Sequence, residues 1–456
     1  MISTSAGFKT NIDKLDRDIG AKVEIFFDGD NNSPTVFYKD DQIVSIAILE
    51  ELRADTMSPL GHVSANELSL VLNNSNRIFS PTNTESPYYN KLLPNVLIKA
   101  FIGVHVSGSY EYIPLGEFRT GDWRSPSSQI HASVKCPDIL ASIGQKDMPM
   151  VPVIENTNIK EMFEILFQSF GLTSDDYIID EDLVQPIRFG WFNRDKVINE
   201  LQRLASSGHC FVFLNRQGKI RVKNIFSVGE SVATLTDNNQ IVNVDSPQKY
   251  SDTFSKIFLK YPMPTLNLES EQIASLADVK SEVPDTTLTG ITFSNAPICL
   301  VNQVALTEGR YSDIEYIKHG ALDCTIKLIN DNLLEEVRLT IFGQKMNKNE
   351  AISMATNAAL VDLIGEKELS LTVDLIQQQE EANNYTSILL NFVGDPFAYY
   401  SADIRGNPSL EVGDVITLID TADKVPSAEV VIVRQTMSFA GGLDGKLIAI
   451  KKECLE

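Results

Sequence analysis

Between residues 20 and 148 the chain is broken into short apolar or alternating runs, and this pattern constrains the fold more than any other feature of the sequence. Residues 22–27, 43–50, 67–72, 96–106, 110–119 and 130–136 are rich in Val, Ile and Phe. Successive side chains of a strand point to opposite faces, so runs of this length and composition read as buried or half-buried β-strands. The breaks carry turn chemistry. Asp28-Gly29-Asp30-Asn31-Asn32 and Ser107-Gly108-Ser109 supply the Gly and Asn residues that tolerate positive φ in hairpins. Short strands at this spacing predict an antiparallel barrel or sandwich, with a short helix over 137–142 closing the unit.

The texture changes near Val151. Asn158 stands three residues before Glu161, the spacing of a helix N-cap and its reciprocal partner, and Ile159, Phe163, Leu166, Phe167 and Phe170 recur at helical intervals up to Gly171. A second helix is expected after Asn193, with Val197, Leu201, Leu204 and Ala205 on one face and Gly208 as its stop. A hairpin over 210–214 and 219–223 follows, turning at Asn215-Arg216-Gln217-Gly218. Strand character returns from residue 254 to 261 and again over 290–293, 299–306, 321–329 and 336–342. The polar stretch 262–289 reads as a long surface excursion, and Ile352, Ala355, Ala359 and Leu360 predict a helix over 349–363. A strand over 368–375, a mixed segment over 382–400 and a compact strand-rich end complete the chain. The expected fold class is mainly β with an α+β insert. Four domains are expected: a first β-barrel over 1–148, a small α/β domain over 149–232, a second β-barrel with helical excursions over 233–405 and a C-terminal small β-barrel over 406–456.

Length and charge bound the function. At 456 residues the chain has room for three or four domains at roughly 100–200 residues each. Lys and Arg total 39 against 61 Asp and Glu, a formal charge of −22, so capture of nucleic acid in a basic groove is not expected. An acidic channel wall is the opposite use, since it lets a phosphate polymer pass without sticking, and plain solubility is the alternative that charge alone favours. No apolar run reaches the roughly 18–20 residues of a membrane span, and the N-terminus lacks a basic start followed by an apolar stretch, so synthesis in the cytoplasm is expected. The five cysteines have no Cys-x-x-Cys spacing and read as reduced thiols.

Residue-level signals for catalysis are sparse. No two of His62, His105, His131, His209 and His319 lie at a spacing that makes a local metal face, and the neighbours His209 and Cys210 would point to opposite sides of a strand. No His-Glu-x-x-His, Gly-x-Ser-x-Gly, Walker-type or Gly-x-Gly-x-x-Gly run occurs. Asp28-Gly29-Asp30-Asn31-Asn32 imitates the start of a calcium loop, but Ser33 stands where glycine is needed and Lys39 where the closing glutamate belongs. Asp175, Asp176, Asp180, Glu181 and Asp182 offer carboxylates of the kind a glycosidase pair needs, although clusters of this sort are ordinarily solvated loop faces. No catalytic residue, metal or cofactor is expected.

The most distinctive stretch is Arg77-Ile-Phe-Ser-Pro-Thr-Asn-Thr-Glu-Ser-Pro-Tyr-Tyr-Asn-Lys-Leu92. Pro81 and Pro87 stiffen it, while Phe79, Tyr88 and Tyr89 supply large contact area at low entropic cost. It resembles a loop of tail proteins from Gram-positive-type phages and phage-tail-like particles. Pro114-Leu-Gly-Glu-Phe118 with Trp123, the segment 132–143, the α/β features over 158–223 and Asn407-Pro-x-Leu-Glu-x-Gly-Asp414 are similar to successive parts of baseplate or tail-tip hub proteins. The resemblance implies two tube-like barrels per subunit, so that a homotrimer presents six barrels in pseudo-sixfold symmetry. Such a ring joins a sixfold tail tube or distal tail ring to a threefold spike or tip, and surrounds a channel for the tape measure protein and DNA. It places the chain in a virion tail or a phage-tail-like particle (a contractile injection system among them), assembled in the host cytoplasm. The expected partner-contact residues are Phe79, Pro81, Pro87, Tyr88, Tyr89 and Lys91, and the alternative is a loop folded back on its own barrel. The chain stops at Glu456, just after the last barrel, so no fused hydrolase or adhesin is expected. The rival readings are a tail-associated peptidoglycan hydrolase and a carbohydrate-binding adhesin. The adhesin would need exposed tryptophans, and Trp123 and Trp191 both lie in contexts that suit burial.

Overall fold

The computed structural model describes residues 1–29, 33–39, 41–52, 61–247, 250–281, 285–294, 297–308, 313–329, 335–396, 398–421 and 425–455. Strands hold 49% of the chain and helices 15%, which makes it mainly β, as the sequence pattern predicts.

After helix α1 (Ala6–Ile12), the first unit contains β1 (Ile19–Ile25), β2 (Thr35–Tyr38), β3 (Ile43–Glu51), the two-residue β4 (His62–Val63), β5 (Glu67–Asn73), β6 (Leu97–Val106), β7 (Ser109–Arg119) and β8 (His131–Pro137). The six predicted runs coincide with β1, β3, β5, β6, β7 and β8 to within three residues at either end, while β2 and β4 had no predicted counterpart. One antiparallel sheet has the order β2-β1-β6-β7, while β3, β5 and β8 lie side by side in another. Alternation decides which face turns inward: Leu68, Leu70 and Leu72 of β5 and Ala21, Val23 and Ile25 of β1 are buried, with less buried residues between them. The β6–β7 hairpin turns through Ser107 and Gly108 at φ +51° and +94°, the conformation its residues predicted.

Helix α2 (Ile139–Gly144) leads into the insert, which comprises β9 (Ile154–Asn158), α3 (Ile159–Ser169), β10 (Tyr177–Ile179), β11 (Pro186–Gly190), α4 (Val197–Ser207), β12 (Cys210–Leu214) and β13 (Ile220–Asn224). Asn158 caps α3 by accepting from the Glu161 amide. The Glu161 carboxylate, expected to return to the cap backbone, instead accepts from Thr157 Oγ1 at 2.7 Å. Strand β4 of the first unit pairs in parallel with β12 and stitches the two units together. The approach there requires Gly61, which has φ +75°, and whose hypothetical Cβ would lie 2.2 Å from the Ala205 carbonyl oxygen.

The second β-rich region contains β14 (Ala233–Thr236), β15 (Ile241–Asp245), β16 (Lys256–Leu266), β17 (Glu271–Ser281), β18 (Asp285–Thr292), β19 (Ile298–Glu308), β20 (Asp313–His319), β21 (Asp323–Ile329) and β22 (Glu335–Thr356), then α5 (Ala358–Ile364), β23 (Glu368–Thr372) and α6 (Gln379–Val393). Two expectations are corrected here. The polar stretch 262–289 is largely strand: β17 pairs with β22 and β18 with β21, and their outward faces carry the Ser, Thr and Glu that looked like loop composition. The helix over 349–363 is confined to 358–364, because residues 346–356 continue β22 and pair with β16 along its whole length. Ile352 and Met354, 59% and 60% exposed, are outward strand residues, while Ala351 and Ala355 face the core on which α6 packs.

The last strands are β24 (Tyr399–Ile404), β25 (Val415–Asp420), β26 (Val425–Phe439) and β27 (Leu443–Lys451). They belong to a sheet ordered β15-β24-β27-β26-β3-β5-β8, with β14 and β25 attached beside β26. β26 pairs with β3, from Arg434 opposite Glu51 to Phe439 opposite Ile46, so the chain end is continuous with the first unit. Met437 and Phe439 enter the same core as Phe8, Ile98 and Phe118. Each such buried side chain contributes on the order of 1.5–3 kcal/mol.

Candidate docking loop and outer sheet face

The loop after β5 is held by its own side chains. Asn74 Oδ1 accepts from the Phe79 amide at 2.9 Å, Asn83 Nδ2 donates to the Arg77 carbonyl at 3.0 Å, and Ser86 Oγ donates to the Ile78 carbonyl at 2.5 Å. Arg77, at φ +61°, donates to the carbonyls of Pro126, Ser127 and Gln129 and so ties the loop to the segment before β8. This anchoring turns Phe79 inward, where it stacks between Tyr88 (centroids 5.5 Å, planes 9° apart) and Trp123 (6.1 Å, 4°). Tyr88 stacks in turn on Phe27 at 4.5 Å.

The expected contact set therefore divides. Phe79 is fully buried in the chain's own core, and its expectation as a partner contact is corrected: four stacked rings gain more from this packing than an exposed phenylalanine retains. Tyr88 is half-buried in the same stack, and burial raises its phenol pKa against the opposing pull of Lys91. Pro81, Pro87 and Tyr89 face outward, Tyr89 with 39% exposure. Lys91 pairs with Asp28 at 2.5 Å. Asp28 is thus an ion-pair partner, while Asp30, Asn31 and Asn32 of the calcium-like run lie outside the described residues. Among the described residues no group of three or more His, Cys, Asp or Glu converges as a metal site.

Four of the five acids of the cluster are spent on structure, and Asp175 is exposed. Asp176 accepts from the Thr173 amide and hydroxyl, Asp180 pairs with Arg221 and accepts from the Asn224 amide, Glu181 pairs with Lys160, and Asp182 accepts from Asn224 Nδ2 at 2.9 Å. His209 is buried against Tyr385 at 4.5 Å, and desolvation holds its imidazole down to about 4. Trp191 is fully buried and Trp123 is half-buried in the ring stack.

Two arrangements carried no local sequence signal. The hairpin turn residue Arg216 is fully buried and grips both carboxylate oxygens of Glu50 on β3, at 2.7 and 2.6 Å, while donating to the carbonyls of Pro408 and Leu410. One guanidinium thus locks the insert to the first unit and the chain end. On the outer face of the β2-β1-β6-β7 sheet, Lys22 lies 3.9 Å over the Phe101 ring and 5.5 Å from that of Tyr112. Tyr110 joins a network in which its hydroxyl meets Asp18 at 2.8 Å and Lys39 at 2.8 Å.

No family model matches the sequence, and no curated protein matches it. Solved structures do. The 43 kDa tail protein of prophage MuSo2 from Shewanella oneidensis aligns over 96% of this chain and 100% of its own, with a TM-score of 0.53 at 10% identity. The chain has the fold of a phage tail protein. A tail protein from Neisseria meningitidis MC58 aligns over 95% of this chain and 96% of its own, with a TM-score of 0.54 at 8% identity. The tail-protein fold thus extends from end to end of the molecule, and it survives at identities that leave no sequence match.

Proposed function

We propose that this chain is the structural hub of a phage-type tail baseplate or tail tip. In this reading three copies close a ring that joins the sixfold tail tube or distal tail ring to a threefold spike or tip. The tape measure protein and, in a virion, DNA pass through its centre. The end-to-end match to tail proteins, over 96% and 95% of this chain and 100% and 96% of theirs, carries the reading. In this reading the divisions expected at residues 148, 232 and 405 place two β-rich, tube-like units on either side of the α/β insert, the duplication that pseudo-sixfold packing needs, with one sheet from β15 through β26 to β8 running across them. A charge of −22 suits a channel that must not hold DNA. No side chain is assigned a chemical step: Asp176, Asp180, Glu181 and Asp182 of the acidic cluster are engaged in turn hydrogen bonds and ion pairs.

Mass measurement of the purified chain with imaging of the particles tests this. Trimers, or a threefold ring at the tail end, are expected. A persistent monomer absent from any ring would overturn the hub reading, and release of soluble fragments from purified peptidoglycan would overturn its non-catalytic part.

A further inference from the structure

We propose that the outer face of the first four-stranded sheet, centred on Tyr38, Lys22 and Phe101, is a contact surface for a second copy of this chain. The inference rests on the assembly reading above and names the surface it uses. Lys22 is the direct cross-strand neighbour of both Tyr38 and Phe101, so the three side chains share one face, and Val36 stands beside them opposite Glu24. Part of the aromatic paving there has an internal duty. Gly20 and Gly103 oppose each other across β1 and β6, and a Cβ on either would come within 2.7 Å of the ring of Tyr110 or Tyr112, so these rings cover bare backbone. Tyr38, 42% exposed, and Val36, 38% exposed, have no such duty, and β2 ends its sheet.

Charge selects the occupant. Three lysines of this face are matched by three acids, Lys22 with Glu24 at 2.8 Å, Lys39 with Asp18 at 2.9 Å and Lys99 with Glu117 at 2.5 Å. With Arg119 opposite Leu97 at the end of the same face, the balance there is near neutral on a chain carrying −22. Two copies repel each other over most of their surface and least where such a face is covered, whereas a strongly charged polymer gains nothing there. Tyrosines are the residues that concentrate binding energy in interfaces, and here Tyr112 is held by the Lys22 cation–π contact, Tyr110 by Lys39 and Asp18, and Tyr38 packs against the Tyr112 ring at 6.4 Å.

The test is mass photometry of the full-length chain across a concentration series, for wild type, Tyr38→Glu, Lys22→Glu, Tyr38→Ala and the control Val242→Glu, each first checked for an unchanged melting transition. Tyr38→Glu and Val242→Glu change net charge equally, and Val242 is exposed on β15 in a different sheet. The expected result is self-association weakened roughly tenfold or more in both Glu variants of the face, equivalent to about 1.4 kcal/mol or more, and unchanged in the control. Tyr38→Ala, which adds no charge and removes only an exposed ring, shows the same direction if Tyr38→Glu fails to fold. Wild-type oligomers that persist unchanged in the face variants overturn this inference and leave the ring standing. A wild type that stays monomeric overturns the ring reading and this surface with it.

Discussion

At the scale of single residues, burial and partnering separate side chains that look equivalent in the sequence. Phe79 and Tyr89 belong to one aromatic loop, yet one is a stacked core ring and the other is half in solvent. Phe79→Ala is expected to cost about 3–5 kcal/mol of unfolding free energy, and Tyr89→Ala within about 0.5 kcal/mol of nothing, read from urea midpoints. Comparable losses would return Phe79 to the role of a surface contact. Two buried titratable groups give opposite pH slopes. His209 has its pKa lowered from 6.5 to about 4 by burial, so its cost to the folded state is absent above pH 6.5 and fully developed below about 4. That amounts to about 3 kcal/mol. Asp138 has its pKa raised by burial from 3.8 to about 7, against the pull of the amides of Asn66, Leu140 and Ala141, so its cost is absent below 3.8 and fully developed above about 7. Subtracting the stability of His209→Gln from that of wild type therefore gives a difference that rises with pH between 4 and 6.5. The same subtraction for Asp138→Asn gives one that falls. Equal slopes would show that neither group titrates in the folded chain as its burial requires.

At the scale of elements, β1, β3 and β5 to β8 of the first unit, and α3, α4 and the β12–β13 hairpin of the insert, were legible because each carries its own period and its own punctuation, whereas the short strands β2, β4, β9, β10 and β11 were not. Alternation in β5, the Asn158 cap of α3 and the Ser107-Gly108 turn are local signals, and the fold keeps them. The stretches that misled are those whose structure depends on distant partners. Residues 349–356 have a helical apolar spacing, but β16 offers an eleven-residue antiparallel partner from Lys256 to Leu266, and the ladder overrides the spacing. Strands β17 and β18 are edge-like and solvated on one side, so their polar residues imitate a loop. The Glu50–Arg216 grip joins residues 166 positions apart and has no local trace at all. Gly61 marks the same limit: its role appears only when α4 lies against it. Gly61→Ala is expected to destabilise by on the order of 2–3 kcal/mol, since both its positive φ and the 2.2 Å approach to Ala205 resist a side chain. Hydrogen exchange should report the loss first in β4 and β12. Protection unchanged there, with loss elsewhere, would contradict the stitch between the two units.

At the scale of the whole molecule, the charge of −22 sets how copies meet. If assembly used a strong attraction between an acidic and a basic face, added salt would screen that attraction and weaken the oligomer. The described face around Tyr38 instead pairs its own lysines with its own acids, so the long-range force between two copies is repulsive and the contact itself is apolar and short-ranged. Raising ionic strength from about 0.01 M to about 0.15 M shortens the Debye length from about 30 Å to about 8 Å and removes most of the repulsion while leaving ring contacts intact. Self-association is therefore expected to tighten with salt over this range, and the tightening should be larger for Lys22→Glu, which adds two negative charges to each copy at the contact. Sedimentation equilibrium at fixed protein concentration and stepped salt measures it. An oligomer that loosens steadily as salt rises would mean that complementary charge, and not a neutral aromatic face, holds the copies together.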